Sequence, residues 1–159
     1  FLLMMKVLDL QVQGLLRKEF PKLDIRVIEL QFDTRGAAET LFIVTQAMEE
    51  KESKRRTISL DCDTIYFDDV LGLARSLPQK ASGCVYFEDN SDLAVFSYLD
   101  LDDSGRILDI KEKRPISRYA NTGAYIFASG DLLRCYANAL LDTKLSEANA
   151  CFSRYFNAR

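Results

Sequence analysis

The sequence predicts an α/β fold with a mixed β-sheet, and three observations carry that reading. Short β-branched runs alternate with helically spaced apolar segments early in the chain, a hairpin pattern takes over after Leu93, and no repeat, low-complexity tract or linker interrupts either part. Strands that alternate with helices feed parallel pairs, whereas a tight hairpin is antiparallel. A mostly parallel sheet that acquires antiparallel strands late is therefore expected. The 159 residues suffice for one compact core, so residues 1–159 read as a single domain.

The elements follow in order. Phe1 to Met5 is an apolar run without a basic lead-in or a small-residue cleavage site, and it reads as a buried strand rather than a leader. Val12, Leu15, Leu16 and Phe20 recur at helical spacing, and Pro21 ends that helix. Ile25, Val27, Ile28 and Leu30 form a strand, after which Asp33-Thr34-Arg35-Gly36 turns the chain into a helix with Leu41, Val44 and Met48 on one face. Glu49 to Arg56 reads as a charged, solvated connection, and Thr57 to Leu60 as a strand that runs out on Asp61-Cys62-Asp63. Asp68 to Ser76 is a helix closed by Pro78, and Cys84 to Phe87 is the next strand. Ala94 to Leu101 and Ile107 to Ile110 flank Asp103-Ser104-Gly105 as a hairpin. Ala124 to Phe127 is the last strand, before a helix from Asp131 to about Leu141.

Composition removes several function classes. A net charge of -3 gives no basic stripe for nucleic acid. No apolar run approaches the roughly 18 residues that cross a bilayer. Cys62, Cys84, Cys135 and Cys151 are widely spaced in apolar surroundings, which argues against a zinc site or a disulfide framework; reduced, buried thiols place the protein in the cytoplasm. With no histidine in the sequence, a Ser-His triad, a Cys-His pair and a His-ligated metal are excluded. Chemistry is left to carboxylates, lysines and a hard cation.

Three segments hold such groups. Asp61 and Asp63 stand where an apolar strand ends, the place where open α/β sheets collect ligands, and carboxylate oxygens suit magnesium, which takes one or two of them plus substrate phosphates. One of these aspartates capping a turn is the competing reading. The pattern also resembles the nucleophile strand of haloacid-dehalogenase phosphatases, although Thr64 follows one place too early for that family. Thr34 to Thr40 joins a strand to a helix through small residues, Gly36 and Ala37 among them, that let a ligand approach free N–H groups; a plain helix start capped by Asp33 or Thr34 is the alternative. In Asp109 to Pro115 a strand ends in cations around Glu112. A solvated charge run is one reading, while Lys113 holding a phosphate and Glu112 accepting sugar hydroxyl hydrogens is the other. Asn121, Thr122 and Gly123, at the entrance to the last strand, would line a polyol pocket.

Taken in order, Thr-Arg-Gly-Ala-Ala-Glu-Thr, Leu-Asp-Cys-Asp, Phe-Ser-Tyr-Leu with Gly-Arg-Ile, Glu-Lys, and Ala-Asn-Thr-Gly-x-Tyr-x-Phe resemble the sugar-phosphate nucleotidyltransferase superfamily between about Ile25 and Phe127, with a fainter likeness from Glu147 to Asn157. The resemblance implies a Rossmann-like, GT-A-like mixed sheet flanked by helices. It also implies transfer of a nucleotidyl group from a nucleoside triphosphate to a sugar 1-phosphate, with release of pyrophosphate. Gly36 and Ala37 would face the base and ribose, Asp63 would hold Mg2+ with Asp61 as helper, Glu112 and Lys113 would contact the sugar and its phosphate, and Asn121, Thr122 and Gly123 would border the sugar. Asp63 and Lys113 would carry the catalysis. The family's opening glycine-rich loop has no counterpart here, and a later metal-binding aspartate would lie past Arg159. A partial domain, truncated at both ends and with little turnover by itself, is the expectation. A catalytically degenerate regulatory or scaffold homologue is the alternative, and a homo-oligomer is compatible with either.

Overall fold

The computed structural model describes residues 2–6 and 11–142; Cys151 and the segment from Glu147 to Asn157 lie outside the described residues. The order is β1 (Leu2–Lys6), α1 (Gln11–Glu19), β2 (Arg26–Leu30), α2 (Ala37–Gln46), α3 (Glu50–Ser53), β3 (Thr57–Leu60), α4 (Val70–Ser76), β4 (Gly83–Glu88), β5 (Ser97–Leu101), β6 (Ile107–Glu112), β7 (Tyr119–Phe127) and α5 (Gly130–Leu141). The α/β class with helices flanking a sheet stands.

The expected mostly parallel sheet does not. Among the described residues parallel pairing is confined to β1 and β2, while β3, β4, β5 and β6 build an antiparallel sheet around β7. The cause is the last strand. Ile126 is flanked by Ile58 of β3 on one side and Gly83 of β4 on the other. Both strands are antiparallel to β7, so β3 and β4 do run the same way, as a strand–helix–strand unit requires, but β7 lies between them. Its first half pairs with β5 through Tyr98↔Ala120 and Leu99↔Tyr119, and β5 carries the predicted hairpin partner β6.

β7 is also longer than the sequence reading, which began it at Ala124. Asn121, Thr122 and Gly123 lie inside the strand: Asn121 pairs with Tyr86, and the pairings of Ala120 and Ala124 that flank the three residues carry the strand across the poor propensity of Asn and Gly. The segment from Glu49 to Arg56 is likewise more ordered than a solvated connection: a reciprocal capping box between Glu49 and Glu52 starts α3, and Ser53 is buried. The helix expected to reach Met48 stops at Gln46, and the Met48 sulfur packs beside Gly130 instead. Of the cysteines expected to be buried, Cys62 and Cys135 are exposed and Cys84 is half-buried, all as free thiols. Cys62 sits in a turn between two aspartates, where no apolar neighbour covers it.

The core forms where β7 meets α5. Phe127 packs on Leu133 and Tyr136, with the Phe127 and Tyr136 rings 6.4 Å apart, and Leu41 of α2 closes the cluster. Ser129 caps α5 by accepting from the Leu132 N–H at 3.1 Å, and the Arg134 guanidinium donates to the Thr45 carbonyl at 2.6 Å, tying α5 to the end of α2. Arg56, just before β3, donates to the carbonyls of Ala74, Leu77 and Pro78 and satisfies the C-terminal end of α4. β3 and α4 are thereby fixed relative to one another before the chain between them is considered.

One buried polar link lends itself to titration. Tyr98 is 2% exposed, and its hydroxyl donates to Asp89 Oδ2 at 2.7 Å and to the Leu93 carbonyl at 3.2 Å. Asp89 also accepts from the Ser91 N–H, and these bonds hold its carboxyl below its ordinary value of 3.8, the Ser91 amide being the larger cause. A depressed carboxyl stabilises the fold above its unfolded pKa, and that contribution is lost as pH falls through the folded value. Asp89→Asn should therefore lower the denaturant midpoint at neutral pH, and the gap from the wild type should close below about pH 4. A gap that is independent of pH would show that the carboxylate charge plays no part.

Candidate functional site

The acidic strand end sits against β7. After Leu60 the Asp61 N–H donates to the Gly123 carbonyl at 3.1 Å, which extends the β3–β7 ladder by one bond and brings the Asp61 side chain onto the backbone of β7. Gly123 has φ +82, and a Cβ there would land on the Asp61 carboxylate. This position requires glycine twice over, for the left-handed backbone and for the close approach. The β4–β7 register slips at the same place, from Cys84↔Tyr125 to Tyr86↔Asn121, so that β7 bulges opposite Val85. The bulge is held by its own polar groups: the Gly123 N–H donates to Asn121 Oδ1 at 2.7 Å, and the Thr122 hydroxyl donates to the Val85 carbonyl at 2.9 Å.

A cavity of about 690 Å³ opens here, with Asp61, Asp63, Asn121, Thr122 and Gly123 in its lining. Five of the residues singled out from the sequence thus meet in one place. Asn121 is 6% exposed, and its amide nitrogen Nδ2 is buried with no hydrogen-bond partner. An unpartnered buried donor costs about 1–3 kcal/mol, a cost that an acceptor reaching Nδ2 would relieve.

Glu112 and Lys113 do not line the cavity but adjoin it. Ser97, which does, pairs with Glu112 across β5 and β6, and the Lys113 N–H donates to the carbonyl of Phe96, another lining residue, at 2.8 Å. The two side chains are 77% and 69% exposed and 3.8 Å apart. Tyr125 joins the halves electrostatically. Burial is the main cause that pushes its hydroxyl up to about 12, with smaller contributions from Cys84 and then from the Asp61 and Glu112 carboxylates. Gly36 and Ala37 lie elsewhere, exposed at the N-terminus of α2 and outside this cavity. Gly36 itself is the N-cap and has no side chain to cap with, and Glu39 reaches back to the Arg35 N–H at 2.6 Å.

Partial burial and then the charge of Asp63 hold the Asp61 carboxyl above its ordinary value. Two crowded carboxylates are the arrangement that a cation relieves. Among the described residues no group of three or more metal-ligating side chains exists. Two carboxylates are as many as magnesium takes from a protein where water and phosphate oxygens supply its other ligands.

Tyr125 and Tyr66 are among the lining residues that the sequence reading does not single out. Tyr125 was counted only as part of a strand, though it follows Gly123 at strand period. Tyr66, whose hydroxyl donates to the Thr122 carbonyl at 3.0 Å, lies in a loop with no periodic signal.

Comparison with known proteins gives two findings. The family model for nucleotidyl transferases matches residues 12–156, whereas a search of curated proteins returns no match. Among solved structures, a putative glucose-1-phosphate thymidylyltransferase from Bacillus anthracis, crystallised with sucrose, superimposes with a TM-score of 0.67 at 18% identity over 94% of this chain and 58% of that one. The nucleoside-diphosphate-sugar pyrophosphorylase of Vibrio cholerae gives 0.66 at 20% identity, over 92% and 61% respectively. HddC from Yersinia pseudotuberculosis gives 0.59 at 18%, over 85% and 58%. The chain thus spans about three-fifths of the length of these neighbours. The family match sets the phosphatase alternative aside.

The closeness of Asp61 to Gly123 can be measured. Gly123→Ala should cost about 2–4 kcal/mol in equilibrium unfolding, from the strained φ and the clash together. In an Asp61→Gly background the same substitution should cost roughly half as much, since only the backbone strain remains. Equal costs in both backgrounds would mean that the two residues are not in contact.

Proposed function

We propose, since the chain belongs to the nucleotidyl transferase family, that it acts in nucleotide-sugar formation: a sugar 1-phosphate oxygen attacks the α-phosphorus of a nucleoside triphosphate and pyrophosphate leaves. The observation that carries the sugar side of this reading is the buried, unpartnered Nδ2 of Asn121 in the cavity that Asp61 and Asp63 also line. A donor there and the Glu112 acceptor at the rim suit a polyol, whose hydroxyls both give and take hydrogen bonds.

The nucleophile is an anionic phosphate oxygen, so no general base is required, which agrees with a sequence lacking histidine. Asn121 would donate to a ring hydroxyl, Glu112 would accept from another, and Lys113 would set a positive charge beside the phosphate. Gly123, having no side chain, lets the Asp61 carboxylate lie against the bulge of β7 that borders the sugar. Magnesium would be held by Asp63 with Asp61 as helper, and when bound it offsets negative charge on the phosphate oxygens. The remaining contribution is alignment: two substrates held in line react without the entropy of finding one another. Gly36 and Ala37, with exposed backbone at the start of α2, are proposed to meet the base and ribose rather than the sugar. No helix among the described residues is long and apolar enough to cross a membrane; a cytoplasmic location is part of the proposal.

The test is direct binding. Calorimetric titration with glucose, galactose and mannose 1-phosphates, with magnesium present, should show that at least one binds. Asn121→Ala and Glu112→Gln should each weaken that binding by about five- to tenfold. If no hexose 1-phosphate binds, or if both variants bind as the wild type does, the reading fails.

A further inference from the structure

The loop after Asp63 is held to the sheet in an unusual way. Ile65, Tyr66 and Phe67 all border the cavity, but Ile65 and Phe67 are 81% and 97% exposed, whereas Tyr66 between them is half-buried and spans to β7 through its hydroxyl bond to the Thr122 carbonyl at 3.0 Å. Asp61 needs no such tether, because its own N–H is bonded to Gly123. Asp63 lies further out in the turn, and no bond of its own to β7 holds it. The Thr122 carbonyl belongs to the same bulge that orients Asn121 and Gly123, so one phenol hydroxyl links the acidic loop to the strand that borders the sugar.

We propose that Tyr66 is a positioning residue: by anchoring the loop to Thr122 it fixes Asp63 relative to Asn121, and so couples cation binding to sugar phosphate binding. The inference rests on the reading of the cavity given under the proposed function. A phosphate bound beside Asn121 meets the cation at one set distance only if the two protein elements are tied together. Without the tether the loop can hold a cation where it no longer faces the phosphate. Coupling between two ligands is reciprocal, so either may be titrated.

The experiment measures the affinity of the hexose 1-phosphate that binds best, with and without magnesium, in wild type, Tyr66→Phe, Asp63→Asn and the double variant, with thermal melting as a check on folding. Tyr66→Phe keeps the ring and removes only the hydroxyl. The expected result is that its magnesium-free affinity is unchanged while the enhancement by magnesium falls about fivefold, the worth of one neutral hydrogen bond. In the Asp63→Asn background, where the enhancement is already lost, Tyr66→Phe should change nothing more. Three results would overturn the inference while leaving the proposed function intact. Wild-type enhancement in Tyr66→Phe would show that the hydroxyl is idle. Equal loss with and without magnesium, or a further loss in the Asp63→Asn background, would show a purely structural part. If the wild type binds none of the sugar phosphates, the proposed function itself falls and takes this inference with it.

Discussion

Asp61 lies so close to the backbone of Gly123 that any side chain there would have to displace it, and the rest of the site is arranged around that approach. The bond from the Asp61 N–H to the Gly123 carbonyl brings the end of β3 onto β7. The left-handed backbone of Gly123 makes the bulge, and Asn121 folds its own oxygen back onto the Gly123 N–H. That internal bond has a chemical consequence, because an amide has two ends. With Oδ1 committed to the bulge, the end left over is the donor. A strand without the bulge would leave Asn121 free to turn either end inward, and the cavity would have no fixed polarity at that point.

The electrostatics follow from the same geometry. Asp61, pressed against backbone and beside Asp63, holds its proton more tightly than an isolated carboxyl does. Across the cavity, Glu112 is exposed and faces Lys113 only loosely. The Tyr125 hydroxyl, pushed up to about 12 by burial and by these carboxylates, stays neutral through the physiological range. The cavity therefore carries its negative charge at Asp61 and Asp63, with neutral donors beside them and the Glu112–Lys113 pair adjoining it. A purely anionic ligand would be repelled there, whereas one with hydroxyls at one end and a phosphate to share with a cation at the other would not.

Much of this was legible in the sequence, for identifiable reasons. β3 matches the strand read from Thr57 to Leu60 residue for residue, since a β-branched run bounded by a charged stretch and an acidic turn has few alternatives. The hairpin of β5 and β6 was visible because Gly105 supplies the turn. The position of β7 was not. Nothing local in Tyr119 to Phe127 says that it will lie between two earlier strands, and that long-range fact turned an expected parallel sheet into an antiparallel one. The site divides along the same line. Asp61, Asp63 and Asn121 announced themselves as polar residues at strand boundaries, whereas Tyr66 became visible only once its hydroxyl was seen to cross to Thr122, a contact over 56 positions.

Lys113 supplies the last piece of the argument. Among the described residues it is the only one other than glycine with positive φ, at 52°. Left-handed backbone costs a residue with a side chain on the order of 1 kcal/mol, and a glycine in that place would avoid the cost. The conformation itself is over-determined, since the Lys113 N–H is bonded to Phe96 and the chain must leave β6 toward Pro115. What is not determined by the fold is the side chain, which is exposed and makes only a loose ion pair with Glu112. Packing therefore does not account for lysine at a strained position, and a pair so far apart and so exposed contributes little to stability. Under the proposed function, a charge held beside the cavity and hardly engaged by the protein itself is left available to the phosphate of the ligand.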